Sequence, residues 1–374
     1  MRRWIPGFLS LCLVTFGSFT KVRASSARQP VEQGMVRLQA WYDPATGLWA
    51  KPANWWNAAN ATTVLANYRI VTGKKTYDEV LANTFARAAV SQHSHDFTNK
   101  YYDDSGWWAL AWIAAYDATG RPAYLQQAQA IFPFLAGGWD DVCGGGLYWT
   151  TDRRGKNAIP NELFLEVAAR LANRTTGDLA AYYRGWAERE WRWFQSSGMI
   201  NAKNLVNDGL DAACKNDHKT EWTYNQGVIV GGLVAMSRFD SDPALLHQAT
   251  AIADATMRYL TIDGVLVDRT VHGGDAPQFK GIFMRNLMAL YQRQPDPRYR
   301  QFFSVNAHSI LANDQDASHA YGGLWQGPFD GADATRQTSA LDALLGNVAV
   351  QGRQPSGRRA AHARPAQQAR AIHR

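Results

Sequence analysis

A recurring pair of helix types constrains this chain more than any other feature of its sequence. Turn-like punctuation returns at Thr72-Gly73, Thr119-Gly120, Thr176-Gly177, Ser241-Asp242 and Pro295-Asp296. Before each mark lies a stretch apolar on nearly every side, such as residues 107–116 (WWALAWIAAY) and 227–236 (GVIVGGLVAM). A helix of that composition must be buried all round. After each mark comes an amphipathic stretch; in residues 243–260, Leu245, Leu246, Ala249, Ile252, Ala253 and Tyr259 form one apolar stripe opposite polar residues. Glycine or aspartate closes the first helix, and Pro122 or Pro243 opens the second. Each unit reads as an inner helix followed by an outer one.

Units that start near residues 55, 103, 160, 224, 278 and 335, with a helix over about 32–41 as the last outer member, make six hairpins. Strand patterns are nearly absent. The predicted fold is all-α, an (α/α)6 toroid of six inner and six outer helices, with an open superhelix as the alternative topology. In the closed form, the segments leading into the inner helices gather at one end of the barrel. Chemistry is therefore sought in those segments.

Net charge looks at first like a pointer to a different partner. The chain carries 39 Lys plus Arg against 32 Asp plus Glu, and a charge of +7 suits nucleic acid or an anionic membrane. Its location decides otherwise. Residues 1–24 hold four of the basic residues and residues 351–374 hold six, both without an acid, so residues 25–350 keep 29 basic against 32 acidic. Residues 1–24 combine Arg2 and Arg3, an apolar run from Trp4 to Phe19 and a Val22-Arg23-Ala24 cleavage pattern, and read as a secretory signal peptide. Residues 25–350 read as the folded domain. Residues 351–374, rich in Arg, Ala, Gln and Pro, read as a basic disordered tail with no lipid-anchor signal. The expectation is a secreted monomer with no nucleic-acid partner and no stable membrane anchor. Cys12 leaves with the signal, so Cys143 and Cys214 remain. In an oxidising compartment they can form a disulfide that closes a long loop, worth roughly 4 kcal/mol by chain entropy; two free thiols are the alternative.

The entrances to the inner helices are rich in aromatic and polar residues: NWWNAAN (54–60), YYDDSGWW (101–108), GGWDDVCGGGLYW (137–149), KNAIPNELF (156–164), EWTYNQG (221–227) and FKGIFMRN (279–286). Aromatic faces beside carboxylates and amides suit a sugar, whose C–H faces stack and whose hydroxyls hydrogen-bond. Buried core packing is the alternative for any single Trp. Asp103-Asp104 is the candidate catalytic pair. Adjacent residues have Cα atoms about 3.8 Å apart, so their carboxyls can approach the roughly 5–5.5 Å separation of a retaining glycosidase. Like charges that close do not both ionise easily, which splits the pair into an acid and a carboxylate. The aromatic wall of Tyr101, Tyr102, Trp107 and Trp108 should favour the neutral acid. Two Asp at a helix start also read as caps. Asp140-Asp141 is a second such pair. No metal or cofactor is expected: His93-Ser94-His95-Asp96 reads as a solvated helix end, and CGGG lacks the Lys-Ser/Thr of a phosphate loop.

At these segments the chain resembles glycoside hydrolase family 76, the α-1,6-mannanases. YYDDSGWWALAW resembles the family's catalytic segment, and CGGGLYW, KNAIPNELF, TYNQG, FKGIFMRNL and RQTSALDAL resemble other family blocks in order, over residues from about 41 to 349. Pro160 departs from the small polar residue expected there. The resemblance implies an (α/α)6 barrel and endo-acting, retaining hydrolysis of α-1,6-linked mannan without a metal. Carried onto this chain, it makes Asp103 the nucleophile and Asp104 the acid/base. Trp55, Tyr102, Trp107, Asp140, Asp141, Asn161, Tyr224, Asn225, Gln226 and Lys280 are the expected substrate-binding residues. The rival readings are a transglycosidase acting on mannan-bearing glycans and a non-catalytic glycan-binding protein.

Overall fold

A computed structural model describes residues 16–50, 53–89, 96–268 and 274–352. Most of the expected signal (1–15), the expected tail (353–374) and the His93-Ser94-His95 cluster lie outside the described residues. The described chain forms α1 (Phe16–Gln39), α2 (Trp55–Thr72), α3 (Asp78–Arg87), α4 (Tyr102–Thr119), α5 (Pro122–Ala136) and α6 (Ala158–Ala172). It continues as α7 (Gly177–Ser196), α8 (Thr223–Met236), α9 (Pro243–Tyr259), α10 (Phe279–Arg293), α11 (Pro297–Asn313) and α12 (Ala334–Gly352). Two antiparallel hairpins of two-residue strands, Tyr42–Asp43 with Leu48–Trp49 and Thr261–Ile262 with Val265–Leu266, decorate the loops.

The even-numbered helices are the inner ring, and each begins within two residues of its predicted start. They pack in chain order, and α12 packs back against α2. That last contact closes the ring and rules out the open superhelix. Helix α1 lies on α12 as the outer member that opens the sequence. Among the described residues no helix is long and apolar enough to cross a membrane.

The inner helices are buried as their composition demands. In α8 every residue from Asn225 to Met236 is buried. Two glycines let neighbouring backbones touch: a Cβ on Gly227 would lie 2.6 Å from the Cα of Phe283, and one on Gly281 2.6 Å from the Cα of Ser339. Any side chain there would push α8 or α12 off α10. Outer helices bury one stripe, with Leu245, Ala249, Ile252 and Ala253 of α9 inside. Tyr259 leaves the expected stripe and is exposed, because its ring sits at the last turn and carries Arg258 and Lys203 over it instead of core.

Turn chemistry separates the two ends of the barrel. Inner helices pass to outer ones through two to six residues, with Gly73 and Gly120 in the left-handed conformation at the C-caps of α2 and α4. Glycine is favoured there because it has no Cβ to clash. Outer helices return to inner ones through 14 to 26 residues. On the barrel axis, Arg285 of α10 pairs with Asp342 of α12 at 3.2 Å, donates to Asn60 of α2 and lies 5.5 Å from the ring centroid of Trp107 of α4. One buried guanidinium thus ties four inner helices and divides the interior.

Candidate active site

The long connections enclose a cavity of about 540 Å³ at the N-terminal ends of the inner helices. Its floor is a closed ring of four aromatic side chains. Trp56 and Trp107 have centroids 5.8 Å apart, Trp107 and Tyr224 6.5 Å, Tyr224 and Phe279 3.9 Å in parallel, and Phe279 and Trp56 6.4 Å. Four inner helices each contribute one ring, which is why α2, α4, α8 and α10 carry an aromatic residue near their first turn. Four carboxylates, Asp103, Asp104, Asp208 and Asp275, also line the cavity, and among the described residues no Lys or Arg does.

Asp103 and Asp104 lie in the first turn of α4, after Tyr101 in extended conformation at the N-cap. The segment before them is braced: Asn99 Oδ1 accepts from the Tyr101 amide at 2.7 Å, and Tyr101 forms a β-bridge with Thr150. That bridge brings Trp149 against the catalytic candidates, and its indole Nε1 donates to Asp103 Oδ2 at 3.0 Å. Asn99 Nδ2 donates to Asp104 Oδ2 at 2.7 Å. The N-cap residue itself, Tyr101, makes no side-chain cap bond. The other oxygen of Asp103 is buried without a partner among the described residues.

Burial is the main influence on both groups. It raises Asp103 well above the usual carboxylate range, the adjacent Asp104 raises it further, and the Trp149 bond opposes the rise. Asp104 is pushed up to about 7, first by burial, against the Asn99 bond and with help from Asp275. The two titrate as one unit that holds a proton near neutrality. Asp275 is tethered to the aromatic floor by Trp56 Nε1 at 2.9 Å. Asp208 is raised chiefly by burial and then by Asp217; its backbone carbonyl accepts from the Ala158 amide at 2.8 Å, which seats its loop on the start of α6.

Of the residues expected from sequence, the cavity brings together Asp103, Asp104, Trp107 and Tyr224. The others do not line it. Trp56 takes the place expected for Trp55: successive helical residues point about 100° apart, and Trp55 instead packs on Trp108 at 5.4 Å and donates to the Ala88 carbonyl. Trp108 is core, stacked on Trp112. Tyr102 turns outward onto Phe134 at 5.0 Å. Asp140 is held by Lys156 at 2.7 Å; burial would raise it, but the Lys156 and Val142 hydrogen bonds carry it below its ordinary value. Asp141 is almost fully exposed, 3.7 Å from Arg189.

Asn161 and Gln226 share one structural task. Asn161 accepts from the Leu147 amide at 2.6 Å and donates to its carbonyl at 3.0 Å. Gln226 does the same to Val206 at 2.7 and 2.9 Å. Each buried amide clips an extended strand of the preceding loop onto its inner helix. Asn225 is buried without a hydrogen-bond partner among the described residues. Lys280 is buried too: its ammonium bonds the Gly323 carbonyl and lies 4.7 Å from the Trp325 ring, and burial lowers it to about 8 against the pull of Asp268, Asp314 and Asp330. These are charges and amides that hold loops, reached through the loops' own backbone.

Trp56, Trp149, Asn157 and Phe279 also line the cavity, and they stand in the aromatic entrance segments with nothing local to set them apart; Asn99, Asp208 and Asp275 carry no local pattern at all. Cys143 and Cys214 are joined as a disulfide, which ties the connection before α6 to the connection before α8.

The fold and the site together define an (α/α)6 barrel whose open end holds a tandem carboxylate pair on an aromatic floor. The profile of glycosyl hydrolase family 76 matches residues 24–359. A mannan endo-1,6-alpha-mannosidase DCW1 of Eremothecium gossypii is 30% identical over 284 residues, covering 69% of this chain and 62% of that relative's length. The Saccharomyces cerevisiae protein of the same name is 28% identical over 340 residues, 83% of this chain and 75% of the relative. Among solved structures, an inactive variant of the alpha-1,6-mannanase GH76A of a Salegentibacter species, with two adjacent aspartates replaced by asparagine and in complex with alpha-1,6-mannotriose, superposes with a TM-score of 0.79. It is 22% identical, covering 87% of this chain and 99% of that chain. The chain belongs to glycosyl hydrolase family 76.

Proposed function

We propose that the protein hydrolyses α-1,6-linked mannan, endo-acting and with retention of anomeric configuration. The observation that carries this reading is the buried Asp103-Asp104 pair beside the aromatic floor, with Asp104 pushed up to about 7. A group at that value can give a proton and take one back near neutral pH. Asp104 protonates the glycosidic oxygen while Asp103 attacks the anomeric carbon, releasing the leaving chain and forming a covalent mannosyl ester. Asp104, now a carboxylate, removes a proton from water, which displaces Asp103 and restores both groups. The Trp149 indole at 3.0 Å orients Asp103 and supports its charge when it leaves the ester. The aromatic floor offers faces for the sugar rings. A cavity that the described residues line with four carboxylates and no Lys or Arg suits a neutral glycan and disfavours an anionic one. The names of the family relatives, and the mannotriose complex of the solved neighbour, support the same substrate class.

We also propose that the protein works outside the cytoplasm; the Cys143–Cys214 disulfide supports an oxidising compartment. The enzymatic proposal is tested by incubating the protein with linear α-1,6-mannan and with an unbranched β-mannan, following product size by chromatography and anomer by NMR. Short α-anomeric products from the first substrate alone are expected. Products longer than the substrate would replace hydrolysis by transfer, and binding without products would replace it by recognition.

A further inference from the structure

The barrel has a second cavity, of about 650 Å³, at the opposite end, lined by the C-terminal halves of five inner helices. It holds Arg170, Arg174, Arg238 and Arg285 against Asp117 and Glu166. Three of the arginines are matched. Arg170 pairs with Glu166 at 2.6 Å, Arg174 pairs with Asp117, and Arg285 pairs with Asp342 at 3.2 Å. Arg238 is left over: it lines the cavity, and among the described residues it joins none of the ion pairs that hold the other three. Partial desolvation lowers it from its ordinary value, Arg174, Arg170 and Arg293 lower it further, and Asp117, already paired with Arg174, opposes them only in part.

Helix dipoles do not explain this surplus. C-terminal carbonyls at this end attract cations, but they are already answered: Arg69 donates to Ala118 O at 2.6 Å, Arg174 to Arg170 O at 2.7 Å, and Asn173 to Ala169 O and Ala235 O at 2.9 and 2.8 Å. Arg238 follows α8 with no such duty. A second unmet group faces the same space. Glu166 is 1% exposed and lines the cavity, and while its Oε1 takes Arg170, its Oε2 has no hydrogen-bond partner among the described residues. A buried acceptor without a donor is costly unless a donor arrives. Asn67, Asn173 and Gln292 add neutral polar groups to the wall.

We propose that this cavity binds a phosphate or sulfate ester of a sugar. The oxyanion sits against Arg238 and between it and Arg174, where guanidinium groups favour bidentate contact. Hydroxyls of the sugar donate to Glu166 Oε2 and meet the amides of Asn67 and Gln292. The site is distinct from the carboxylate cleft, since Arg285 stands between the two cavities with its guanidinium over the Trp107 ring.

The test is thermal unfolding at fixed ionic strength with sodium chloride, inorganic phosphate, mannose or mannose 6-phosphate, on the wild type and on Arg238→Glu. Mannose 6-phosphate at a hundredfold excess over its Kd should raise the midpoint by about 5 °C. The shift should disappear in Arg238→Glu, whose unliganded midpoint is unchanged or higher because the substitution removes a charge that Arg174, Arg170 and Arg293 oppose, and whose activity on mannan is unchanged because Arg238 is exposed and lies outside the cleft. Saturation by mannose 6-phosphate at a tenfold lower concentration than inorganic phosphate supports an ester ligand. Equal concentrations would leave only an inorganic-anion site and overturn the sugar part of the proposal. No shift beyond the chloride control, or an equal shift in Arg238→Glu, overturns it altogether.

Discussion

The two ends of the barrel are made from the same helices and have opposite character. At one end the inner helices begin, connections run to 26 residues, and the cavity wall holds four carboxylates and an aromatic floor. At the other end the inner helices stop, connections shrink to six residues or fewer, and the cavity wall holds four arginines. The sign of charge at each end agrees with the helix dipole, since N-termini favour anions and C-termini favour cations, but the dipole leaves Arg238 at the basic end unexplained. Length of connection does not follow from the dipole. Only the long loops have enough chain to fold back and deliver Trp149 and Asp208, so the chemistry is confined to one end while the other keeps tight turns.

The largest asymmetry should be catalytic. Asp103→Asn and Asp104→Asn should each lower the initial rate on linear α-1,6-mannan by about 10⁴-fold, with the thermal midpoint unchanged or higher because Asp103 carries a buried oxygen without a partner. A variant that keeps a tenth of the wild-type rate would remove the pair from the chemistry.

Next in size is the disulfide, which exists only at the acidic end. Cys143→Ser with Cys214→Ser should cost about 4 kcal/mol by chain entropy for a separation of 71 residues. Hydrogen exchange should quicken in residues 137–157 and 197–222 before it does in the short turn at 237–242. Equal quickening at both ends would show that the loops are not independently tethered.

Arg285→Met removes the partition between the cavities. It should lower stability by about 3 kcal/mol, the range for breaking a buried pair, measured by denaturant unfolding. A neutral result would mean that Asp342, which burial already pushes up to about 7, sheds its charge when the guanidinium is gone.

The smallest effect concerns pH. Asp104 must be protonated to act as the acid, and Asp275 contributes to its raised value. Removing that like charge in Asp275→Asn lowers the value, so the alkaline limb of the rate profile should move to lower pH while the acidic limb stays. An unmoved alkaline limb would exclude Asp275 as a tuning group.

Much of this arrangement was legible in the chain because it is periodic. The all-round apolar stretches at 107–116 and 227–236 are inner helices, Thr72-Gly73 and Thr119-Gly120 are helix ends, and Asp103-Asp104 opens an inner helix at the cleft. Helical period and cap chemistry are local properties, and local properties are written in local sequence. Trp55 and Trp56 show where that stops. Both stand in one aromatic segment, and the choice between them depends on a rotation about the helix axis that packing against α3 and α4 sets. Asn161 and Gln226 show it again, since a polar residue at a helix entrance looks the same whether it meets a sugar or a backbone.

By itself, the sequence determined the six hairpins, the buried character of the inner helices and the position of the tandem carboxylates, because each depends on residues within a few turns of one another. The tertiary structure alone decided that α12 closes on α2, that Trp149 from one loop and Asp275 from another meet the carboxylate pair, and that Lys280 and Asp140 are tied up in loop scaffolding. It also decided that Arg238 lines a second cavity and, among the described residues, joins none of the ion pairs that hold its other arginines. Those outcomes join groups tens to hundreds of residues apart, and their energies depend on burial and on which partner arrives, neither of which spacing along a chain records.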